Sequence, residues 1–219
     1  MDLYTRCRVA GREQLAGLDG PAVFVANHHS HMDTPVILRA LPGRWRRSTA
    51  VAAAADYFYA KRRNALSASL VFGTVPLDRN SGAGTGPSQT AHLDQLFASG
   101  GSLLVYAEGT RSRDGRLGRL RSGAARLAAE HGLPIVPVFV SGTGAAMPLG
   151  RHWMVFRAGR PGPRHPVEIR FGLPIVADAG EEPAETMERV RSFFAACAAE
   201  THQSPTVAPE RARHPRQHA

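Results

Sequence analysis

Short apolar runs separated by polar, glycine-containing loops recur along the 219-residue chain. A run of four to eight apolar residues bounded by turn-forming residues is typical of a buried β-strand. Five such runs predict buried strands: PAVFVAN (21–27), STAVAAAA (48–55), TVPL (74–77), SLLVYA (102–107) and LPIVPVFVSG (133–142). A sixth run, HPVEIRFG (165–172), alternates apolar with charged residues and predicts a half-exposed strand.

Helical patterns occupy most of the intervals between these strands. One helix is expected from Thr34-Pro35 to the Pro42-Gly43 pair, because proline and glycine end helices. Further helices are predicted near Asp56, over 89–98, over 124–132 and over 181–200. Residues 79–88 and 108–123 predict long polar loops, and 143–165 an irregular segment.

Strands that alternate with helices predict a single α/β domain with a mainly parallel central sheet flanked by helices. We assign this domain to residues 1–202, since no linker or internal repeat divides it. Residues 203–219 are polar, proline-containing and basic, and this composition predicts a disordered tail.

Composition narrows the class of protein. A hydrophobic fraction of 43% with 21% charged residues is that of a globular chain, and the net charge of +9 favours anionic partners. Cys7 and Cys197 lie at opposite ends of the chain, so neither a disulfide framework nor a cysteine metal site is expected, and a reducing compartment fits best. No signal-peptide core and no run of about 18 apolar residues occurs, so any membrane contact is expected to be peripheral.

Polar clusters follow three of the predicted strands. They are NHHSHMD (27–33), LDRN (77–80) and EGTRS (108–112). In parallel sheets the ligand-binding loops gather beyond the carboxyl ends of the strands. We therefore expect the three clusters to meet at one edge of the sheet.

The histidine-rich cluster at residues 27–33 has three interpretations. His28 and His31 could share a metal ion, but no further Cys/His motif supports such a site. Alternatively, Asp33 accepts a hydrogen bond from the His28 ring across a turn and leaves the other ring nitrogen free to take a proton. The third interpretation is a polar turn in which Asp33 merely caps a helix. The pair of residues alone does not decide between these.

The cluster does not stand alone, and four stretches together resemble the glycerophospholipid acyltransferases, the family of 1-acyl-sn-glycerol-3-phosphate acyltransferase. The matching positions, in chain order, are Asn27, His28 and Asp33; Gly73, Leu77, Asp78 and Arg79; Glu108 to Ser112; and Val136, Pro137 and Val138. The resemblance covers roughly residues 20 to 145, and it is the combination of motifs that makes it specific.

The chain also departs from the family pattern. Tyr106 and Ala107 stand where the third motif usually has Phe-Pro, and Ala52 to Ala55 replace a segment that often holds a lysine. The residues before the first predicted strand are not apolar, whereas family members often carry an apolar helical segment there.

The resemblance implies transfer of a fatty acyl group from a thioester donor, acyl-CoA or acyl-carrier protein, to a hydroxyl of a lysophospholipid such as 1-acyl-glycerol 3-phosphate. His28 is then the general base and Asp33 orients it, with no metal and no cofactor. The expected substrate-binding residues are Asn27, Arg79, Glu108, Gly109, Thr110 and Arg111. Arg79 and Arg111 would hold the acceptor phosphate, Asn27 could also brace the turn, and Glu108 could also order its loop.

Two further surfaces are expected. Tyr57, Phe58, Tyr59, Leu66 and Leu70 line an acyl groove or belong to the core. Trp153, Met154 and Phe156, with Arg151 and Arg157 beside them, form either an interfacial patch or the edge of the core. The expected partners are an anionic membrane surface and no nucleic acid, and the expected location is cytoplasmic, peripheral at the inner face of the cell membrane. A non-catalytic module that binds anionic lipid and a metal-dependent hydrolase are the alternative functions.

Overall fold

The computed structural model describes residues 2–54, 74–77, 87–112, 117–151, 153–159 and 163–203. The strands are β1 (Thr5–Ala10), β2 (Val23–Ala26), β3 (Thr49–Ala54), β4 (Thr74–Leu77), β5 (Ser102–Tyr106), β6 (Ile135–Ser141) and β7 (His165–Phe171). The α-helices are α1 (Asp33–Ala40), α2 (Gly43–Ser48), α3 (Pro87–Ala98), α4 (Gly123–Glu130), α5 (Thr143–Ala146) and α6 (Pro183–Gln203), and two short 3-10 helices span Arg12–Leu15 and Arg157–Gly159.

All seven of these strands form one sheet in the order β1-β7-β6-β2-β5-β3-β4. The five strands from β6 to β4 run parallel to their neighbours. β7 pairs antiparallel with β6 and parallel with β1. Strands β1 and β7 therefore run in the opposite direction to the other five. The predicted single α/β fold with a mainly parallel sheet is confirmed.

Helices cover both faces of the sheet because the central strands bury both of their faces. On β2, Phe24 and Ala26 point into a core shared with α1 and α2. Val23 and Val25 point into the opposite core, which α3, α4 and α6 close. This alternation follows from the two-residue period of a strand. It also explains why β2 reads as a continuous apolar run in the sequence.

The structure corrects the sequence analysis at four places. Strand β1 was not predicted, so the strand at residues 21–27 is the second and not the first. Helix α1 ends just before Pro42 as expected, but α2 begins at once after it. The irregular segment holds α5 and the 3-10 helix Arg157–Gly159. In addition, α1 begins at Asp33 itself, preceded by Met32 as its cap, so Asp33 is not the helix cap.

Several predictions concern residues outside the described ranges. They are the helix near Asp56, the acyl groove between Tyr57 and Leu70, the part of the predicted loop at 79–86 with Arg79, and most of the tail. The last two residues of that predicted loop are helical, because α3 begins at Pro87. Within the described part of the chain, no helix is long and apolar enough to cross a membrane.

Candidate active site

The candidate site lies beyond the carboxyl end of β2, between the ends of its two neighbours β5 and β6. Asn27 is the first residue after β2 and is buried, with 1% of its surface exposed. Its amide donates from Nδ2 to the Val140 carbonyl at 2.8 Å and accepts at Oδ1 from the Val140 N–H at 2.7 Å. The two bonds fasten the start of the turn to β6.

Asp33 organises this turn from the first position of α1. Its side chain is fully buried, and its Oδ2 atom accepts hydrogen bonds from the backbone N–H groups of His29 at 2.6 Å and Ser30 at 2.8 Å. The other oxygen, Oδ1, accepts from the Thr143 hydroxyl at 2.6 Å. These donors, together with the amino end of α1, stabilise the carboxylate, which pairs with no Lys or Arg among the described residues.

His28 completes the pair. Its Nδ1 atom lies 2.8 Å from Oδ2 of Asp33, so the hydrogen bond predicted between the two side chains is present. Because Oδ2 already accepts from two backbone N–H groups, it is an acceptor toward the ring, and Nδ1 is the protonated nitrogen. The His28 side chain is 17% exposed, and among the described residues no hydrogen-bond partner contacts its Nε2 atom.

The ring of His28 stacks on Tyr106, the last residue of β5. The two ring centroids are 3.9 Å apart and the planes differ by 20°. The Tyr106 hydroxyl forms a 2.6 Å hydrogen bond with the hydroxyl of Thr34 on α1. Burial of this phenol raises its pKa well above the ordinary value, and the negative charge of Asp33 raises it further. Tyr106 therefore stays a neutral platform that fixes the plane of the imidazole.

The polar segment EGTRS (108–112) is hydrogen-bonded to the turn at residues 27–33 through Glu108. Its carboxylate is buried and accepts the His28 N–H at 3.1 Å on Oε1 and the Gly118 N–H at 2.9 Å on Oε2. The Ser112 N–H in turn donates to the His28 carbonyl at 2.8 Å. Both backbone groups of His28 are thus held by the loop that follows β5.

Glycine is required at two turns around the site. Gly109 has a φ of +70°, and a Cβ there would lie 3.0 Å from Nε of Arg121. Gly142, directly before Thr143, has a φ of +81°, and a Cβ there would lie 2.0 Å from the Pro166 carbonyl oxygen. Only glycine adopts such a backbone at low cost, and no side chain fits at Gly142. This turn delivers the Thr143 hydroxyl to Asp33.

The structure brings four of the predicted site residues together and places others on the loop that follows β5. His28, Asp33, Asn27 and Glu108 form one connected cluster. The carboxamide of Asn27 and the carboxylate of Glu108 form hydrogen bonds with backbone groups, so both residues brace the turn. Thr110 is exposed and Arg111 is half-buried on the loop after β5. Arg79 lies outside the described residues.

Sequence reasoning did not find three residues that support the pair. Thr143 is 110 positions from Asp33, and no local pattern signals that contact. In the sequence, Thr34 signals only the start of a helix. Tyr106 departs from the family pattern, and that departure is the available signal.

The described part of the chain holds no group of three His, Cys, Asp or Glu side chains arranged to bind a metal ion. Of the histidine cluster, His28 is committed through Nδ1 to Asp33, which leaves it one nitrogen. The arrangement has the chemistry of a base with its orienting carboxylate.

The sequence is similar to those of known proteins. Residues 6–141 match the sequence model of a family described as Acyltransferase. The chain is 32% identical over 156 residues to the chloroplastic 1-acyl-sn-glycerol-3-phosphate acyltransferases BAT2 of Brassica napus and LPAT1 of Arabidopsis thaliana. These matches cover 67% of this chain, and the chain spans only 40% and 39% of the two relatives.

A solved structure shares the fold. The crystal structure of the 1-acyl-sn-glycerophosphate acyltransferase PlsC from Thermotoga maritima superposes with a TM-score of 0.63 at 24% identity. The match covers 90% of this chain and 74% of the other. The same sheet with flanking helices therefore underlies both proteins.

Proposed function

The chain belongs to the Acyltransferase family, the family of the glycerophospholipid acyltransferases, and on that premise we propose its reaction. It transfers a fatty acyl group from an acyl thioester to a free hydroxyl of a lysophospholipid such as 1-acyl-glycerol 3-phosphate. One observation carries the proposal: the His28 ring is held through Nδ1 by the buried Asp33 carboxylate, while its side chain keeps 17% exposure at the sheet edge.

The proton chemistry follows from the tautomer. With the proton on Nδ1, the lone pair of Nε2 is available to an incoming hydroxyl. Nε2 takes the hydroxyl proton as the alcohol oxygen attacks the thioester carbonyl, and a tetrahedral intermediate forms. When the carbon–sulfur bond breaks, the imidazolium returns that proton to the departing thiolate. The products are the ester and the free thiol, and His28 is regenerated.

Asp33 supports this step in two ways. Its hydrogen bond holds the ring in one tautomer and one orientation, and its negative charge stabilises the transient imidazolium. The three other hydrogen bonds to the carboxylate keep it fixed while the ring charge changes. Because this preorganisation exists before substrate binds, no reorganisation is needed during the reaction.

The acceptor phosphate requires cations near the base. Arg111 lies on the loop that holds the His28 backbone through Ser112, and no hydrogen-bond partner within the described residues engages its guanidinium. A guanidinium donates two parallel hydrogen bonds to a phosphate, which suits it to this role. Arg79 is proposed as the second cation, from its place in the motif. Thr110 and the Gly109 backbone are proposed to contact the acceptor beside Arg111.

The acyl donor and the membrane surface are also proposed. The donor is acyl-CoA or acyl-carrier protein, because both present an acyl thioester on a phosphopantetheine arm. The acceptor is a membrane lipid, and the net charge of +9 favours an anionic bilayer. We propose that the protein works in the cytoplasm, peripheral at the inner face of the cell membrane.

The test is an acceptor screen with one labelled acyl-CoA, in which thiol release and labelled lipid are measured together. The wild type is expected to consume thioester only when a lysophospholipid is present. His28→Ala is expected to be slower by about a hundredfold or more, the scale of a lost general base. His29→Ala is the matched control, since it changes the neighbouring histidine but keeps the backbone N–H that Asp33 uses.

Three other results would point away from acyl transfer by His28. Equal losses for the two variants would show that the cluster acts structurally. Lipid binding without any thioester consumption would favour the non-catalytic module. Thioester hydrolysis that requires no acceptor and disappears with a chelator would favour the metal-dependent hydrolase.

A further inference from the structure

Large apolar side chains are exposed at the sheet edge that carries the site. Among the described residues, Trp153 is 69% exposed, Leu3 64% and Leu149 42%. Two others, Leu173 at 69% and Val176 at 62%, lie near the amino end of β6, at the opposite edge. Exposed aromatic and aliphatic groups of this size normally mark an interaction surface when they cluster.

Hydrogen bonds connect the loop that carries Leu149 and Trp153 to the turn between His28 and Asp33. The hydroxyl of Ser30 donates to the Met147 carbonyl at 2.9 Å, which fixes the start of the loop that carries Leu149 and Trp153. The far end of this loop is fixed by the Val155 N–H, which donates to the Ala146 carbonyl at 2.8 Å.

The segment with Leu3 joins the same surface. Tyr4 stacks on Phe156 with ring centroids 4.5 Å apart, and its carbonyl accepts the His165 N–H at 2.7 Å. His165 begins β7, beyond the carboxyl end of β6, because β7 runs antiparallel to β6. Leu3 is therefore carried at the same edge of the sheet as His28.

The charge around these side chains is mostly positive. Residues 131–167 contain four arginines and no Asp or Glu. Beside them, a cavity of about 500 Å³ between β1 and α1 is lined by Arg6, Arg12, Arg39 and Arg164, with Asp2 as the acid in its lining. Asp2 pairs with Arg39 at 2.8 Å, which leaves a positive excess on the surface.

We propose that this docking face, formed by Leu3, Leu149 and Trp153 with Arg6, Arg151 and Arg164, binds the surface of an anionic lipid bilayer. The inference rests on the proposed function, in which the acceptor and the product are membrane lipids. Trp inserts at headgroup depth and arginines stay on the anionic headgroups, which is the arrangement of an interfacial segment. The face would set the exposed side of His28 toward the bilayer in which the acceptor lies.

Intrinsic fluorescence tests the orientation without any substitution. The chain has two tryptophans, and Trp45 is buried with 4% exposure whereas Trp153 is 69% exposed. With vesicles of phosphatidylcholine and phosphatidylglycerol, the emission is expected to shift to the blue, and brominated acyl chains should quench it. Binding without a shift and without quenching would overturn the proposal, because the bilayer would then contact another face.

Vesicle sedimentation measures the contribution of single residues. Moving one large apolar side chain into the interface is worth about tenfold in partitioning, so Trp153→Ala should weaken binding by about that factor. Arg151→Gln should weaken it by about fivefold, and only with anionic lipid. Leu173→Ala, equally exposed at the opposite edge, and Arg126→Gln, exposed on α4, are the matched controls and should bind as the wild type does.

A final comparison separates this proposal from the proposed function. His28→Ala should slow turnover by about a hundredfold or more yet bind vesicles normally. Trp153→Ala should turn over a monomeric short-chain lysophospholipid normally and a vesicle-embedded one about tenfold more slowly. Equal rates on the embedded acceptor, or an equal loss of binding in the controls, would refute the docking face while leaving the chemistry intact.

Discussion

Replacing Asp33 with asparagine separates the charge of this carboxylate from its shape. The side chain is fully buried and accepts hydrogen bonds from His28, His29, Ser30 and Thr143. An amide oxygen at the position of Oδ2 still accepts from the first three. The Thr143 hydroxyl can rotate to accept from the amide N–H. The variant should therefore fold with the ring still in place.

The expected loss comes from the imidazolium that forms during the reaction. Nδ1 and Oδ2 are 2.8 Å apart. With the ring charge spread over the imidazole, we take the separation of the two charges as about 4 Å, where the attraction is about 4 kcal/mol at an effective dielectric constant of about 20. A factor of ten in rate corresponds to about 1.4 kcal/mol. Asp33→Asn should therefore lower kcat by about a thousandfold.

The assay is thiol release from an acyl thioester in the presence of a lysophospholipid, with urea denaturation as a check on the fold. Thr143→Val is the companion variant, since it removes one hydrogen bond to Asp33 but leaves the charge. It should cost about 1–3 kcal/mol of stability and no more than about tenfold in rate. If Asp33→Asn keeps more than a tenth of the wild-type rate while folded, the carboxylate charge does not support catalysis.

Three further predictions follow from the same contacts. The pKa of Tyr106 is raised in the folded protein, so its protonated phenol contributes fully to stability below about pH 10, the pKa of an unfolded tyrosine. This contribution is lost as the pH rises further, by up to about 1.4 kcal/mol per pH unit. Urea titrations at pH values below and above about pH 10 should show this slope in the wild type and lose it in Tyr106→Phe. Glu108→Gln cannot accept from both the His28 and Gly118 N–H groups, so it should lose about 1–3 kcal/mol in the free energy of unfolding, whereas the exposed Glu130→Gln should not change it. Prolonged chelation should leave the rate of acyl transfer unchanged, and a tenfold loss restored by a divalent metal would contradict the metal-free mechanism.

The fold was largely predictable because its central strands are buried on both faces. Such strands appear in the sequence as uninterrupted apolar runs, and the polar clusters that follow them mark the carboxyl edge. Strand β1 cannot be recognised from the sequence for the opposite reason. It is an edge strand with mostly exposed, partly charged side chains, and its pairing with β7 joins positions about 160 apart in the chain.

The site was predictable only where its contacts are local. His28 and Asp33 are five positions apart, and the turn between them made their contact a reasonable expectation. The Thr143 hydroxyl and the stacked Tyr106 ring come from other strand ends, so the three-dimensional sheet order had to be known first. The same order shows that Asn27 and Glu108 bind backbone groups, whereas the motif leaves both the bracing role and the substrate-binding role open.

A double-variant cycle most directly tests whether His28 is the base and Asp33 works through it. The rates of thioester consumption are measured for His28→Ala, Asp33→Asn and the variant that carries both changes. Residues that act as one unit are non-additive. The double variant is therefore expected to be no slower than His28→Ala alone, whose own loss should be at least the roughly thousandfold loss expected for Asp33→Asn. If the two losses multiply instead, Asp33 contributes independently of the imidazole and the proposed mechanism is wrong.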